Sequence, residues 1–232
     1  MKQHFWNGKR VPYVTAWTAE ARPQPEIIRR FGWAGEGIGY EDEEPVIDRR
    51  DEALWVRSGI APGRGKPDFR RMNTHRQKRA TRFSLCQVCG ESVIDAGAEE
   101  RTLHLLGGAV PIAEGEPTAA PPVHPLCAVE AIENCPPLGR GWAAALVKFS
   151  PLWGVAGVVH DPVTLEPLPH SPGRRPGELQ HVHLADKDIR WTLASFTVVS
   201  LHGVAAVSHD QLHEMAQDDA RRALAVEQPG AA

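Results

Sequence analysis

Four cysteines and one histidine carry the clearest chemical pattern in this chain. Cys86 and Cys89 form a C-x-x-C motif followed by Gly90, and His124 and Cys127 stand three residues apart further along. A C-x-x-C-G turn lets two thiolates converge on one ion, because glycine adopts the positive φ that such a turn often needs. The pattern predicts a metal site, with zinc, or iron in its place, as the ion that suits these ligands.

Three residues are candidates for the two remaining ligand positions of a tetrahedral site: His124, Cys127 and Cys135. Pro125 suits the first turn of a helix, so His124 and Cys127 can face the same ion. Cys135 follows Cys127 by eight residues, or about 12 Å along a continuous helix, whereas two sulfur atoms on one zinc lie within about 4–5 Å. The predicted ligands are therefore Cys86, Cys89, His124 and Cys127, with Cys135 as the alternative ligand.

A centre with four protein ligands leaves no coordination position for water. We therefore predict one structural Zn²⁺ and no catalytic residue. A thioredoxin-like redox pair at Cys86 and Cys89 is one alternative, and four unrelated buried thiols are the other. Structural zinc would stabilise folding by joining the segments that carry its ligands.

The elements around the predicted site indicate an α+β fold with a treble-clef-like zinc module. The C-x-x-C turn would be followed by a hairpin of residues 91–94 and 101–106, and then by the helix that carries the second ligand pair. Residues 142–149 and 152–159 are rich in valine and alanine and are separated by Ser150-Pro151, which favours short antiparallel strands.

Two amphipathic helices are predicted at the C-terminal end. The first would begin after Asp186 and present an apolar face. The second would begin at Ser208, with Gln211 completing a capping box. The apolar face of the first helix consists of Ile189, Leu193, Phe196 and Val199.

Three segments are expected from these patterns. Residues 1–62 form a loosely built N-terminal region, and residues 63–140 hold a basic helix and the zinc module. Residues 141–228 hold strands and the two C-terminal helices, packed on the zinc module.

The stretch from 64 to 82 is strongly basic. It contains eight lysines and arginines and a single acidic residue, Asp68. Asn73 is a suitable N-cap for a helix over residues 74–82, whose cations could contact phosphates without reading sequence. The alternatives are ion pairs with the acidic run 41–52 and a solvated face. The candidate nucleic-acid-binding residues are Arg70, Arg71, Arg76, Lys78, Arg79 and Arg82.

The composition limits the classes of function. The net charge of −3 provides no global field that would attract nucleic acid. No apolar stretch is long enough to cross a membrane, and no secretory signal is visible near the N-terminus. We expect a cytoplasmic protein with no membrane partner and no evident small-molecule substrate.

The motifs resemble a known but uncharacterised group of actinobacterial proteins, some of them phage- or plasmid-associated. In that group a CxxCG turn precedes a PPxHxxC or PPxCxxC segment and then a CP pair, as CQVCG and PPVHPLCAVEAIENCP do here. The resemblance covers roughly residues 45–205 and includes RGKP at 64–67. It implies a metal ligand at His124, keeps Cys135 as an alternative, and implies no activity.

These observations predict a zinc-stabilised binding or scaffold protein, with a protein as the first choice of partner. The alternative is nucleic-acid contact through helix 74–82. A second alternative is a metal-dependent enzyme, which would need another metal at His209 and His213, or at His181 and His183. The H-E-x-x-H motif of metalloproteases is not complete, because Gln217 stands at its second ligand position.

Overall fold

The computed structural model describes residues 2–32, 35–94, 101–169 and 177–227, which form a mixed α and β structure with small, mainly antiparallel sheets. None of the helices in these residues is long and apolar enough to cross a membrane. The helices are α1 (Pro45–Asp48), α2 (Thr74–Arg82), α3 (Pro125–Asn134) and α4 (His209–Glu227), with 3-10 turns at Thr18–Glu20, Leu138–Arg140 and Lys187–Trp191. The strands are β1 (His4–Trp6), β2 (Lys9–Val11), β3 (Thr15–Trp17), β4 (Ile27–Gly32), β5 (Gly35–Tyr40), β6 (Arg49–Arg50), β7 (Ala53–Trp55), β8 (Pro67–Met72), β9 (Thr102–Gly107), β10 (Pro117–Thr118), β11 (Trp142–Val147), β12 (Leu152–Val159), β13 (Gln180–His183), β14 (Thr192–Ser200) and β15 (Ala205–Val207).

The largest sheet is organised around β14. Its strand order is β13-β12-β14-β7-β6, and β10 also pairs with β14. Strand β12 runs antiparallel to β14 from Leu152↔Val199 to Val159↔Thr192, whereas β7 joins the other side of β14 in parallel. The sequence of β14, TLASFTVVS, is rich in β-branched residues, which suits a central strand.

The predicted first C-terminal helix is wrong. After Asp186 the chain forms only a 3-10 turn, Lys187–Trp191, and then continues as β14. Leu193 and Ala194 are neighbours and both are buried, so both faces of this strand are covered. A strand covered on both faces has a nearly continuous apolar sequence, in which helical spacing occurs by coincidence.

The second predicted helix is present as α4. Ser208 and Gln211 form the capping box, since each side-chain oxygen accepts the other residue's backbone N–H, at 2.9 and 3.2 Å. Strands β9, β11 and β15 form a three-stranded sheet beside α3 and α4. One apolar cluster joins these elements: Cys86, Val88, Leu103, Leu105, Val123, Cys127, Ala128, Ala144, Val207 and Leu212.

The predicted hairpin of residues 91–94 and 101–106 does not form among the described residues. Strand β9 pairs instead with β11, from Thr102↔Val147 to Gly107↔Trp142. Ser92 forms a bridge with Leu85, directly before the C-x-x-C turn. The small side chains of β11 explain why β9 pairs with this strand, because they allow apolar layers to cover both faces of the two-strand pair. Residues 95–100 lie outside the described residues.

The N-terminal segment is built into the rest of the fold. Strand β7 lies in the largest sheet, and β3 pairs with β8. The backbone N–H groups of Tyr13 and Val14 donate to the carbonyls of Val88 and Gln87 at 2.9 and 3.2 Å. The boundaries of the three predicted segments stay predictions, and the last of them, 228, is one residue past the described part of the chain.

A buried ion pair holds helix α2 against this N-terminal segment. Arg76 donates to both carboxylate oxygens of Glu20, at 2.6 and 2.8 Å, and to the carbonyls of Tyr13 and Thr15. Burial raises the pKa of Glu20, but hydrogen bonds from Arg76 and from two backbone N–H groups outweigh it. The pKa of Glu20 therefore lies below its ordinary value.

We predict that Glu20→Gln lowers the free energy of unfolding by about 3–5 kcal/mol, because it leaves the buried guanidinium of Arg76 without a counter-charge. Urea denaturation near neutral pH measures the change. Glu26→Gln is the matched control at an exposed carboxylate, and we expect it to change the free energy by less than about 0.5 kcal/mol. Equal effects of the two substitutions would contradict the prediction.

The same ion pair makes the free energy of unfolding depend on pH in the acidic range. Because the pKa of Glu20 is lower in the folded chain, its contribution is complete above the unfolded value near 4.5 and is lost as pH falls through the folded pKa. The difference in unfolding free energy between the wild type and Glu20→Gln should therefore shrink below about pH 4.5.

Candidate metal centre

The structure brings together four side chains that could hold a metal ion. The sulfur atoms of Cys86, Cys89 and Cys127 and a ring nitrogen of His124 all lie within 4.8 Å of one another. A tetrahedral zinc site has similar separations, since Zn–S bonds are about 2.3 Å and Zn–N bonds about 2.0–2.1 Å. All four cysteines of the chain are free thiols. The donor set and its geometry therefore fit a metal ion.

The C-x-x-C turn is shaped for a thiolate at Cys86. Gly90 has a φ of +77°, and its N–H donates to the carbonyl of Cys86 at 2.8 Å, which closes the turn. The fully buried sulfur of Cys86 also accepts the backbone N–H groups of Val88 and His124, both at 3.4 Å. Hydrogen bonds from N–H groups favour a charged sulfur over a neutral thiol.

Helix α3 positions the second ligand pair. His124 is its N-cap, Pro125 occupies the first turn, and Cys127 follows within that turn, where the helix dipole favours a thiolate. The Nε2 atom of His124 lies 2.9 Å from the carbonyl oxygen of Ser92. A carbonyl only accepts, so Nε2 donates and Nδ1, which lies 3.2 Å from the sulfur of Cys89, is the free ligand atom.

The thiols compete for protons that a metal ion would displace. Hydrogen bonds from Cys127 and Cys89 lower the pKa of Cys86, and the bond to Cys86 raises the pKa of Cys127. Hydrogen bonds with Cys86 and Cys89 raise the pKa of His124 to about 11. Ligands bind a metal only after they lose their protons, so binding to these residues would release protons.

Two residues of the N-terminal segment contact the centre, and no sequence pattern pointed to them. Gln3 donates to the carbonyl of Cys89 at 2.7 Å. Arg10 lies 3.8 Å from the sulfur of Cys127 and 3.4 Å from a carboxylate oxygen of Glu130. Three thiolates around a divalent cation would leave one excess negative charge, which the guanidinium, shared with Glu130, would offset in part.

Cys135 stands apart from the cluster. It is the C-cap of α3, and its N–H donates to the carbonyl of Ala131 at 2.9 Å. The helix runs without a break from Pro125 to Asn134, so Cys135 lies at the end opposite His124. The geometry therefore favours His124 over Cys135 as the fourth ligand.

The structure divides the candidate nucleic-acid-binding residues. Helix α2 forms as predicted, with Asn73 as its N-cap. Arg76 is buried in its ion pair with Glu20, which makes it unavailable to a phosphate. Lys78 is half-buried with its ammonium 4.2 Å from the ring of Trp55, and burial lowers its pKa. Four are exposed: Arg70, Arg71, Arg79 and Arg82.

The acidic run 41–52 forms ion pairs with arginines close to it in sequence. Arg49 contacts Glu43 at 2.7 Å, and Arg57 contacts Asp42 and Asp48 at 2.9 and 2.6 Å. These ion pairs neutralise much of the negative charge of the acidic run. They therefore do not support the alternative in which helix α2 is the main ion-pair partner of that run.

The other histidine pairs do not assemble a second metal cluster in the described part of the chain. On α4, His209 is exposed and His213 is half-buried, with their Nε2 atoms 3.2 Å apart. His181 and His183 both make edge contacts with Trp153. Among the described residues, the only group of three or more potential ligands is the one at Cys86.

A hydrogen-bonded Ser-His-Glu chain is a feature that the sequence pattern did not reveal. Ser200 lies 2.9 Å from Nε2 of His202, whose Nδ1 lies 3.1 Å from a carboxylate oxygen of Glu114. Ser200 is buried, and the N–H of Leu201, where an oxyanion donor would be needed, already donates to the carbonyl of Glu116. The carboxylate of Glu114 also accepts the backbone N–H groups of the two residues that follow His202. The three hydrogen-bonded side chains therefore stabilise this turn.

Comparison of the chain with protein-family models, with curated proteins and with solved structures gives no match.

We predict that Cys127→Ala abolishes stoichiometric zinc binding, whereas Cys135→Ala retains one zinc per chain. The first change removes a sulfur from the cluster, and the second alters a residue at the other end of α3. Elemental analysis after dialysis of protein produced with zinc measures both. Zinc retained by Cys127→Ala or lost by Cys135→Ala would show that the ligand set is wrong.

Proposed function

We propose that this chain is a zinc-stabilised binding protein whose Cys3His centre has a structural role. One observation carries the proposal: three sulfurs and one imidazole nitrogen lie within 4.8 Å of one another. A mixed sulfur and nitrogen set of tetrahedral size suits zinc, and four protein ligands leave no position for a catalytic water. The same reasoning weighs against the alternative of an enzyme that uses this metal.

The arrangement of the ligands supports a treble-clef-like description of the centre. A C-x-x-C turn supplies one ligand pair, and the first turn of α3 supplies the other. The module departs from the expected form because β9 pairs with β11 and not within a hairpin. Membership in the actinobacterial group and a location in the reducing cytoplasm are part of the proposal, and free thiols agree with the latter.

Exposed apolar side chains beside the C-x-x-C turn favour a protein as the partner. Phe83 and Ile94 are 58% and 62% exposed. They flank a short ladder in which the N–H of Val93 donates to the carbonyl of Ser84 at 2.9 Å. The metal would hold this ladder rigid, and rigid apolar side chains on a surface are typical anchors of protein contacts.

We predict that Phe83→Asp weakens binding of a co-purifying protein by about tenfold or more while the zinc content stays at one per chain. Pull-down with tagged chain, quantified against the wild type, measures the loss. Phe31→Asp, at another exposed phenylalanine, is the matched control and should leave binding unchanged. Equal binding by the wild type and Phe83→Asp would contradict this docking surface.

Nucleic-acid contact remains the second candidate function, because Arg79 and Arg82 are exposed on α2. Its test is charge reversal at these two residues, followed by measurement of DNA binding at several salt concentrations. Arg76 is unsuitable for this test, since its substitution would disrupt the buried pair with Glu20.

A further inference from the structure

A groove with both charged and apolar lining opens where β3 and β8 meet the largest sheet. Its volume is about 580 Å³, which is within the range of about 300–1,000 Å³ typical of sites for small molecules. One side is formed by Arg70 and Arg71 of β8, and Arg22 and Arg57 also line it. Phe196 of β14 contributes an apolar surface.

A bulge in β8 directs two consecutive arginines to this groove. Thr15 pairs with Met72, but the next residue, Ala16, pairs with Asp68, so residues 69–71 have no partner in register. The carboxylate of Asp68 accepts the N–H of Arg70 at 3.1 Å, which shapes the bulge. In a regular strand, neighbouring side chains point to opposite faces; a bulge changes this direction and is common beside binding sites.

The charges of the groove do not cancel. Glu20 is already paired with Arg76, and Arg57 is already paired with Asp42 and Asp48. In the described part of the chain, the guanidinium groups of Arg70 and Arg71 have neither an ion pair nor a hydrogen bond.

Arg22 adds a further positive charge at the groove. Its guanidinium donates to backbone carbonyls of Ala19 and Ala21, at 3.4 and 3.1 Å, which leaves the charge uncompensated. Arg22, Arg70 and Arg71 line the groove together with two carboxylates, Glu20 and Asp68. Because Glu20 is paired with Arg76, only the carboxylate of Asp68 is left to offset these three arginines.

We propose that this groove binds the phosphate of a nucleotide, either free or within a single strand, through Arg22, Arg70 and Arg71. Guanidinium groups match phosphate oxygens in charge and in bidentate geometry. The apolar residues that line the groove, Val56, Met72, Leu179 and Phe196, suit the planar base of a nucleotide. The proposal goes beyond the role of the metal centre and does not depend on it.

Fluorescence anisotropy tests the proposal with two probes: a labelled adenosine diphosphate and a labelled thymidine strand of about 12 nucleotides. The protein is the full chain with its metal content measured. We expect the wild type to bind at least one probe, and Arg70→Glu with Arg71→Glu to weaken it at least tenfold. Binding of the diphosphate would assign a free nucleotide, and binding of the strand alone would assign single-stranded nucleic acid.

The matched control is Arg64→Glu with Lys66→Glu, which makes the same charge change at exposed residues outside the groove. Arg70→Gln with Arg71→Gln serves as a second, milder variant, and thermal unfolding checks that each variant is folded. The proposal is overturned if neither probe binds, if the control weakens binding as much, or if only Arg79→Glu with Arg82→Glu abolishes it. A chain that takes up no zinc when zinc is supplied, but still binds a probe in the groove, would contradict the zinc proposal and support this one.

Discussion

The crowding of three thiols and an imidazole is the constraint on which the rest of this structure depends. Four ligand atoms lie within 4.8 Å, on segments that are separated by more than thirty residues. Sulfur atoms with their protons removed would repel one another at that distance, whereas a divalent cation would convert the repulsion into attraction. The apolar cluster that includes Cys86 and Cys127 then joins β9, β11, β15, α3 and α4.

Ionic and hydrogen-bond contacts connect the candidate metal centre to more distant parts of the chain. Arg10 approaches Cys127 from the N-terminal segment, and Gln3 contacts the C-x-x-C turn. The buried pair of Arg76 and Glu20 joins the same segment to α2, which leads directly into that turn. A change at the candidate metal ligands should therefore affect the packing of the N-terminal residues, although none of these N-terminal residues belongs to the ligand cluster.

The sequence predicted the features that depend on local spacing. Each of the two candidate ligand pairs, the N-cap of α2 at Asn73 and the capping box of α4 follow from residues a few positions apart. The sequence of strand β14 has the spacing of an amphipathic helix, because two buried faces hide the strand period of two residues. Pairings over long separations, such as β7 with β14 or Arg10 with Cys127, leave no local signal, and neither does the bulge that places Arg70 and Arg71 in one groove.

X-ray absorption at the zinc edge tests the central claim most directly, because it counts the atoms bound to the metal, separates sulfur from lighter donors and recognises an imidazole by scattering from its outer ring atoms. For the purified full chain we predict three sulfur atoms at about 2.3 Å and one nitrogen at about 2.0–2.1 Å. Four sulfur atoms would assign Cys135 in place of His124. A light donor without imidazole scattering, or a chain that binds no zinc when zinc is supplied, would contradict a closed structural centre.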